Sequence, residues 1–198
     1  MKAIWCTRKG YIVALAVLVM VTVFPPSPAV GAVSKNKAVA GKSLKLLGTA
    51  IREFLFVDIY SLSAYSESGE CSMRSVIYKS EVKALILSMK RTIPKKRLID
   101  NLKDTFTKNL PQGKDTTELQ KKINVFLSYF TKDLNKGSYV EIIYIPGQGT
   151  LLKQNGARMG QITKGKGFAD LIWRSYFGPN TCCPGLKSDI LEQCKDPS

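Results

Sequence analysis

The sequence predicts an α+β fold built on a largely antiparallel sheet. Apolar and polar residues alternate through much of residues 54–66, as they do in a half-buried strand. Two helix-like stretches follow, with apolar residues three and four positions apart. Strand-like segments then return as a meander, followed by another helical stretch. This order favours a sheet with its helices packed on one face.

Three strands are predicted in the first half of the chain. After a polar lead-in, "LKLLGT" and "FLFVDIYSLSAYS" form the first two, joined by a hairpin around Arg52 and Glu53. Residues 82–92 form the third, preceded by a loop or short helix near residues 73–77. Arg52 stands at the head of an apolar strand and Tyr60 lies within it. Because an arginine entering an apolar sheet is costly unless an anion meets it, both residues are candidates for a site.

The two central helices have recognisable starts. Pro94 suits the first turn of a helix over residues 94–110, where the missing N–H of proline is tolerated. The second helix, over residues 116–130, is preceded by Asp115, and Glu118 follows at the spacing of a capping box. The apolar stripe of the first helix consists of Leu98, Leu102, Phe106 and Leu110.

The second half of the chain predicts three strands and two helices. "SYVEIIYIP", "GTLLKQNG" and "ARMGQIT" form a meander whose last turn is Asn155–Gly156, a strong hairpin signal. "GFADLIWRSYFG" forms a helix closed by Gly178. "LKSDILEQ" forms a short final helix. No internal repeat or linker is evident, so residues 33–198 are predicted to form one domain with a cysteine-containing C-terminal tail.

Residues 1–32 have the pattern of a secretory signal. Basic residues precede an apolar run at residues 11–24, and a Pro-rich stretch ending in small residues follows. The run of 14 residues is short for a membrane span and suits a signal core. We therefore expect cleavage near Ala32 and a periplasmic or secreted protein. The alternative is a protein anchored by an uncleaved N-terminal segment.

Charge and composition narrow the function. The 198-residue chain has a formal net charge of +15 and contains no histidine. The absence of histidine excludes Ser-His-Asp and Cys-His catalysis and imidazole metal centres. No cofactor or metal is expected. The basic surface favours anionic neighbours such as a membrane surface. Nucleic acid is not expected as a partner, because the protein is predicted to be exported.

Four cysteines follow the predicted signal, and export would allow them to oxidise. Cys182 and Cys183 are adjacent and lie twelve and eleven residues before Cys194. We expect Cys194 to pair with one of them and to staple the C-terminal tail. Cys71 would then pair with the remaining member of the Cys182–Cys183 pair. A metal site is the alternative, although the spacing matches no common zinc pattern.

The chemistry of Arg52 and Tyr60 has two interpretations. In the first, Arg52 is a surface arginine paired with Glu53 or Asp58, and Tyr60 places its hydroxyl at the rim of the sheet. In the second, the pair forms a carboxylate clamp. A guanidinium binds an acid through two hydrogen bonds, and the phenol donates another.

The order of several motifs resembles the chalcone isomerase-like family. These motifs are "GTAIRE" around Arg52, "AYSE", "IPKKRLIDN", the hairpin "YIPGQGT…NGARMGQI" and "FADLIWRSYFGP". They run from about Lys42 to Leu191. The resemblance is to an exported bacterial branch of the family. It implies an open-faced β-sandwich, in which helices cover a large antiparallel sheet and leave a ligand cleft between.

The resemblance also implies site residues. An arginine, two threonines, a tyrosine and an asparagine line the cleft of the plant isomerases. Arg52 matches the arginine and Asn101 the asparagine. One threonine position falls at Tyr60 and the other near Ala169, and the tyrosine position falls near Pro94. The fatty-acid-binding branch holds its ligand carboxylate with an arginine and a tyrosine, which Arg52 and Tyr60 match.

These observations predict a non-catalytic binding protein whose ligand is an apolar carboxylate, such as a fatty acid. Arg52, Tyr60 and Asn101 are the expected ligand-binding residues. One alternative is an intramolecular lyase or isomerase acting on a phenolic or enone substrate. Another is a basic envelope protein that acts through its surface and has a vestigial cleft.

Overall fold

Within residues 33–196, which the computed structural model describes, seven strands form one antiparallel sheet in chain order. The predicted signal at residues 1–32 lies outside the described residues. The strands are β1 (Asn36–Val39), β2 (Lys42–Phe54), β3 (Val57–Ser66), β4 (Lys83–Met89), β5 (Tyr139–Ile145), β6 (Gly149–Gln154) and β7 (Ala157–Ile162). The helices are α1 (Met73–Tyr78), α2 (Lys95–Lys108), α3 (Thr117–Ser128), α4 (Lys166–Phe177) and α5 (Pro184–Lys195).

One face of the sheet carries the main core. Every helix contributes to the same apolar cluster, which also contains strand residues such as Leu62 and Leu152. The helices therefore pack on one face, and the α+β prediction is confirmed. A smaller cluster on the other face includes Leu44, Tyr65 and Ile143. Successive strand residues point to opposite faces, which is why Leu62 and Tyr65 belong to different clusters.

The first hairpins differ from the prediction. Residues 36–39, expected to be a polar lead-in, form β1 and pair with β2. The hairpin expected around Arg52 and Glu53 turns later, at Leu55–Phe56, between the paired residues Phe54 and Val57. The prediction missed this turn because neither Leu55 nor Phe56 is a usual turn residue. The turn at Asn155–Gly156 was predicted correctly.

The last helix lies against β2. The backbone of Ile190 passes so close to Gly48 that a Cβ atom there would lie 2.8 Å from the Ile190 carbonyl oxygen. Gln193 accepts a hydrogen bond from the Thr49 N–H and donates one to the Thr49 carbonyl. α5 is therefore held beside the strand that carries Arg52. The link between α4 and α5 contains Cys182 and Cys183.

None of the helices within residues 33–196 is both long and apolar enough to cross a membrane.

Candidate functional site

Arg52 and Tyr60 lie directly opposite each other on β2 and β3. Opposed residues of an antiparallel pair project from the same face, with Cβ atoms about 4.5–5.5 Å apart. Both side chains are half-buried, and Tyr60 packs against the main core cluster. The pair therefore projects into the layer between sheet and helices. The register shifts just beyond it, where Ile59 has no partner on β2.

Arg52 has no carboxylate partner among residues 33–196, and no hydrogen bond within this range reaches its guanidinium. The expected alternative, an ion pair with Glu53 or Asp58, does not form. Instead Asp58 pairs in register with Glu53, the next residue along β2. Arg52 is thus a half-buried cation whose hydrogen-bonding capacity is not used by the described chain. Such a group favours an anionic ligand.

Two adjacent thiols form the opposite side of the site. The Cys182 and Cys183 sulfurs lie 2.7 Å apart, and the Tyr60 hydroxyl lies 3.9 Å from the Cys183 sulfur. The Cys182 N–H donates to the Ser175 carbonyl of α4. The Cys183 N–H donates to the Thr181 hydroxyl. These backbone contacts fix the thiols where α5 begins.

The electrostatics of the thiol pair point to one thiolate. The hydrogen bond between Cys182 and Cys183, the positive charge of Arg52 and the Tyr60 hydroxyl together lower the pKa of Cys183 to about 7, against the opposing effect of burial. The same hydrogen bond and burial raise the pKa of Cys182. At neutral pH part of the population therefore carries a Cys183 thiolate beside Arg52. This internal anion competes with an external one for the guanidinium.

The phenols of the site stay neutral at physiological pH. Burial is the main cause that raises the pKa of Tyr60 well above its usual value. The pKa of Tyr176, from α4, is also raised well above its usual value, again mainly by burial. A neutral phenol can donate its hydroxyl proton to an anion. Tyr60 is therefore suited to hydrogen-bond a carboxylate held by Arg52.

Asn101 lies on α2 with an exposed side chain. Among the described residues, no hydrogen bond joins it to Arg52 or Tyr60. One turn earlier on the same helix face, the Arg97 guanidinium lies 5.9 Å from the centre of the Phe54 ring. That face of α2 is therefore turned toward the β2–β3 hairpin. The ligand-binding role of Asn101 stays a prediction.

The predicted disulfide pairing is wrong. Cys71 and Cys194 form a disulfide, with Cα atoms 5.6 Å apart, and Cys182 and Cys183 are free thiols. The expectation followed closeness in sequence. The helix α5, however, carries Cys194 away from the thiol pair and along β2 to the loop that precedes α1. The disulfide is therefore a structural link, and the free thiols belong to the candidate site.

Lys83 is a buried charged residue that was not among the candidates predicted from the sequence. Only 1% of its surface is exposed, and its ammonium donates to the carbonyls of Val76 and Ile77 near the end of α1. The ammonium also lies 4.8 Å from the centre of the Trp173 ring. Burial lowers the pKa of Lys83 to about 8. Lys83 lies two residues before the buried Leu85 in β4, so strand alternation puts both side chains on the core face. This spacing was the signal that could have placed Lys83 in the core.

The layer beside the site is apolar. Leu62, on the same strand as Tyr60, and Phe168 and Trp173 of α4 are all almost fully buried in the main cluster. Two depressions on the surface have volumes of about 690 and 850 Å³, and neither is lined by Arg52 or Tyr60. No group of three or more metal-ligating side chains occurs within residues 33–196. The site therefore combines the Arg52 cation, the neutral Tyr60 and Tyr176 phenols, and the Cys182 and Cys183 thiols at the edge of an apolar layer.

Comparison with known proteins agrees with this architecture. A solved fatty-acid binding protein of Arabidopsis thaliana superposes with a TM-score of 0.60 at 14% sequence identity, covering 81% of this chain and 97% of that one. At this identity the likeness concerns the fold alone. No curated protein matches the chain. The family model described as chalcone isomerase-like matches residues 30–192. The chain therefore belongs to the chalcone isomerase-like family, as its motifs predict.

Proposed function

We propose that the protein binds the carboxylate of an apolar acid, such as a fatty acid, through Arg52 and Tyr60, and does not transform it. The observation that carries this proposal is the Arg52 guanidinium. It lies half-buried opposite Tyr60, and no carboxylate of the described chain neutralises it.

The two side chains suit an acid for different reasons. A guanidinium offers two parallel N–H donors to a carboxylate, and such charge-assisted hydrogen bonds are the strongest in proteins. The Tyr60 hydroxyl stays protonated because burial raises its pKa, so it adds a neutral donor. An alcohol or ester of the same length lacks the negative charge. The pair therefore discriminates between an acid and its neutral analogues.

The apolar part of the ligand requires a place beside the clamp. The layer between sheet and helices is apolar, and Tyr60 lies at its edge. An acyl chain would enter this layer as core side chains move apart. The similar fold of a plant fatty-acid binding protein supports this arrangement. Such a site needs only one polar contact for the head group, with apolar walls for the rest.

Calorimetric titration of a long-chain fatty acid and of the equally long alcohol tests the proposal. Arg52→Ala should lower the affinity for the acid about ten- to a hundredfold, the effect of losing about 1.5–3 kcal/mol. Tyr60→Phe should cost about 1 kcal/mol. Arg52→Lys should restore only part of the affinity, because an ammonium cannot reproduce the planar fork. Asn101→Ala tests whether the exposed amide contributes at all.

Arg74→Ala is the matched control, because Arg74 is an exposed arginine on α1, away from the site. It should leave the affinity unchanged. Circular dichroism of each variant checks folding. If the acid and the alcohol bind alike in every variant, Arg52 and Tyr60 have a structural role and the proposal is wrong.

The two other functions predict different results. An isomerase would use further polar side chains, yet the resemblance puts the expected tyrosine near Pro94 and one expected threonine near Ala169. An envelope protein with a vestigial cleft would bind partners through its surface only. Mass spectrometry of the gently purified protein distinguishes a fatty-acid-binding protein from an envelope protein with a vestigial cleft, because an acyl chain should copurify only with the former.

We also propose that the protein is exported, in keeping with an exported branch of the family. The signal-like pattern of residues 1–32 supports this. The Cys71–Cys194 disulfide supports it as well, because structural disulfides persist mainly in oxidising compartments. Sequencing the N-terminus of the protein recovered from the cell envelope or medium is the test. A new terminus near Val33 is expected, whereas an intact Met1 would leave the anchored alternative.

A further inference from the structure

The tip of the β2–β3 hairpin is the most exposed apolar feature of the described chain. Leu55 and Phe56 form a two-residue turn, and 75% and 101% of their surfaces are exposed. Phe54, which precedes them, is 48% exposed. Three consecutive large apolar side chains thus stand at the end of a hairpin, and the last two of them are mostly or fully exposed.

The backbone of this turn is costly for these residues. Leu55 and Phe56 have φ angles of 49° and 63°, as a type I′ turn requires. Bulky side chains rarely adopt positive φ, and Asn–Gly is the usual choice. The chain itself uses Asn155–Gly156, with φ angles of 50° and 79°, for the β6–β7 turn. The backbone of the Leu–Phe tip therefore lowers the stability of the fold. Its exposed apolar side chains are available for contact with another apolar surface.

Basic side chains surround the base of the tip. A surface depression is lined by Phe56 and Asp58 together with Lys90, Arg91 and Lys136. These three basic residues are exposed, and none forms an ion pair within residues 33–196. Arg97 stacks over Phe54 from α2. Three basic residues and one carboxylate, that of Asp58, thus line the depression, and Arg97 adds a cation beside Phe54. The exposed Glu53 pairs in register with Asp58. The potential around the tip is positive and favours an anionic surface.

This combination fits a lipid bilayer better than a protein partner. Apolar side chains that penetrate the headgroup region, with lysines and arginines behind them, are the usual means of interfacial binding. A stable protein interface buries roughly 800 Å² on each partner, which a single protruding turn does not offer. We propose that Leu55 and Phe56 insert into an anionic membrane surface, while Lys90, Arg91, Arg97 and Lys136 bind lipid headgroups.

The position of the tip links this contact to the candidate site. Arg52 lies on β2, three residues before Leu55 of the turn, a distance of about 10 Å along an extended chain. If the protein binds an acid as proposed above, the inserted tip brings the clamp close to the headgroup region. Membrane contact and acid binding are nevertheless measured separately, so either proposal can fail alone.

Fluorescence of a tryptophan placed at the tip tests the insertion. Phe56→Trp is made in residues 33–198, the exported form proposed above, which lacks Trp5 and the apolar run of residues 11–24. The emission of the buried Trp173, measured in the unsubstituted protein, is subtracted. The vesicles contain phosphatidylcholine with about 30% phosphatidylglycerol, or phosphatidylcholine alone. We expect a blue shift and quenching by brominated lipids with the anionic vesicles, several-fold stronger than with the neutral ones. Arg91→Glu combined with Lys136→Glu should abolish this difference.

The matched control is Val125→Trp in the same protein of residues 33–198. Val125 is 46% exposed on α3 and should not be quenched when Phe56→Trp is. An unquenched tip, equal quenching by both kinds of vesicle, or equal quenching at positions 56 and 125 would each overturn the proposal. Capture of a protein by the wild type without tip quenching would assign the hairpin to a protein partner instead.

Discussion

The Tyr60 hydroxyl lies 3.9 Å from the Cys183 sulfur, so a phenol from the sheet meets a thiol from the link between α4 and α5. Arg52, opposite Tyr60 in the register, lowers the pKa of the same thiol. Residues 123 positions apart in the chain thus form one charged cluster at the edge of the apolar layer. The ionisation state of Cys183 therefore affects how much of the Arg52 charge is available to an anionic ligand.

The first prediction is that affinity for an acid falls as pH rises through about 7. Cys183 has its pKa lowered to about 7, so above this pH its thiolate neutralises part of the Arg52 charge. A fatty acid titrated between pH 6 and 8.5, where its own carboxylate is largely ionised, should bind most tightly at the acidic end. Cys183→Ser should flatten the profile. The thiolate absorbance near 240 nm should rise with a midpoint near pH 7, and Arg52→Ala should move that midpoint upward. An unchanged affinity profile in Cys183→Ser would contradict the competition.

The second prediction concerns the Cys71–Cys194 disulfide. It joins residues 123 positions apart, and a loop of this length is worth about 3–5 kcal/mol by the chain-entropy argument. Replacing Cys71 and Cys194 by serine should lower the free energy of unfolding by about that amount in urea denaturation. Cys182→Ser is the control and should cost much less. Peptide mapping without reductant should recover Cys71 linked to Cys194, and a Cys182–Cys194 link would refute the assignment.

The third prediction follows from the buried Lys83. Its pKa is lowered to about 8 in the folded protein, while the unfolded chain keeps its proton up to about 10.5. Between these values the unfolded state binds more protons, so the wild type gains stability as pH rises. The gain should be about 2–2.5 kcal/mol relative to Lys83→Met, measured by denaturation at pH 7.5 and pH 10. Lys90→Met, at an exposed lysine, keeps Lys83 and should gain as much stability between the two pH values as the wild type does. Parallel stability curves for the wild type and Lys83→Met would contradict the lowered pKa.

The fourth prediction is that the hairpin tip can be made more stable. Replacing Leu55 by Asn and Phe56 by Gly should relieve two unfavourable backbone conformations and raise the free energy of unfolding by about 1–3 kcal/mol. The reciprocal change, Asn155→Leu with Gly156→Phe, should lower it by more, because it also removes the hydrogen bond that the Asn155 side chain accepts from the Tyr139 N–H. Thermal denaturation of both variants measures the effect. A loss of stability on introducing Asn–Gly at the tip would show that Leu55 and Phe56 support the fold.

The sequence predicted the features that depend on neighbouring residues. Hydrophobic periodicity located the central helices and most strands, because helices and strands repeat their side chains at different intervals. The Asn155–Gly156 turn was recognisable because these residues tolerate positive φ. The family was evident from motifs spread along the chain. Arg52 and Tyr60 were singled out together, although their direct opposition across the sheet depends on a register that local patterns do not specify.

Other features were set by contacts between distant residues. The Leu55–Phe56 turn contradicts local preferences, so only the pairing of β2 with β3 places it. Cys194 pairs with Cys71 because α5 packs along β2, a contact between the two ends of the described chain. By itself, the sequence determined most of the helices and strands, the family and the candidate arginine and tyrosine. The tertiary structure decided which cysteine meets which and what surrounds Arg52, because these contacts follow from packing over long separations.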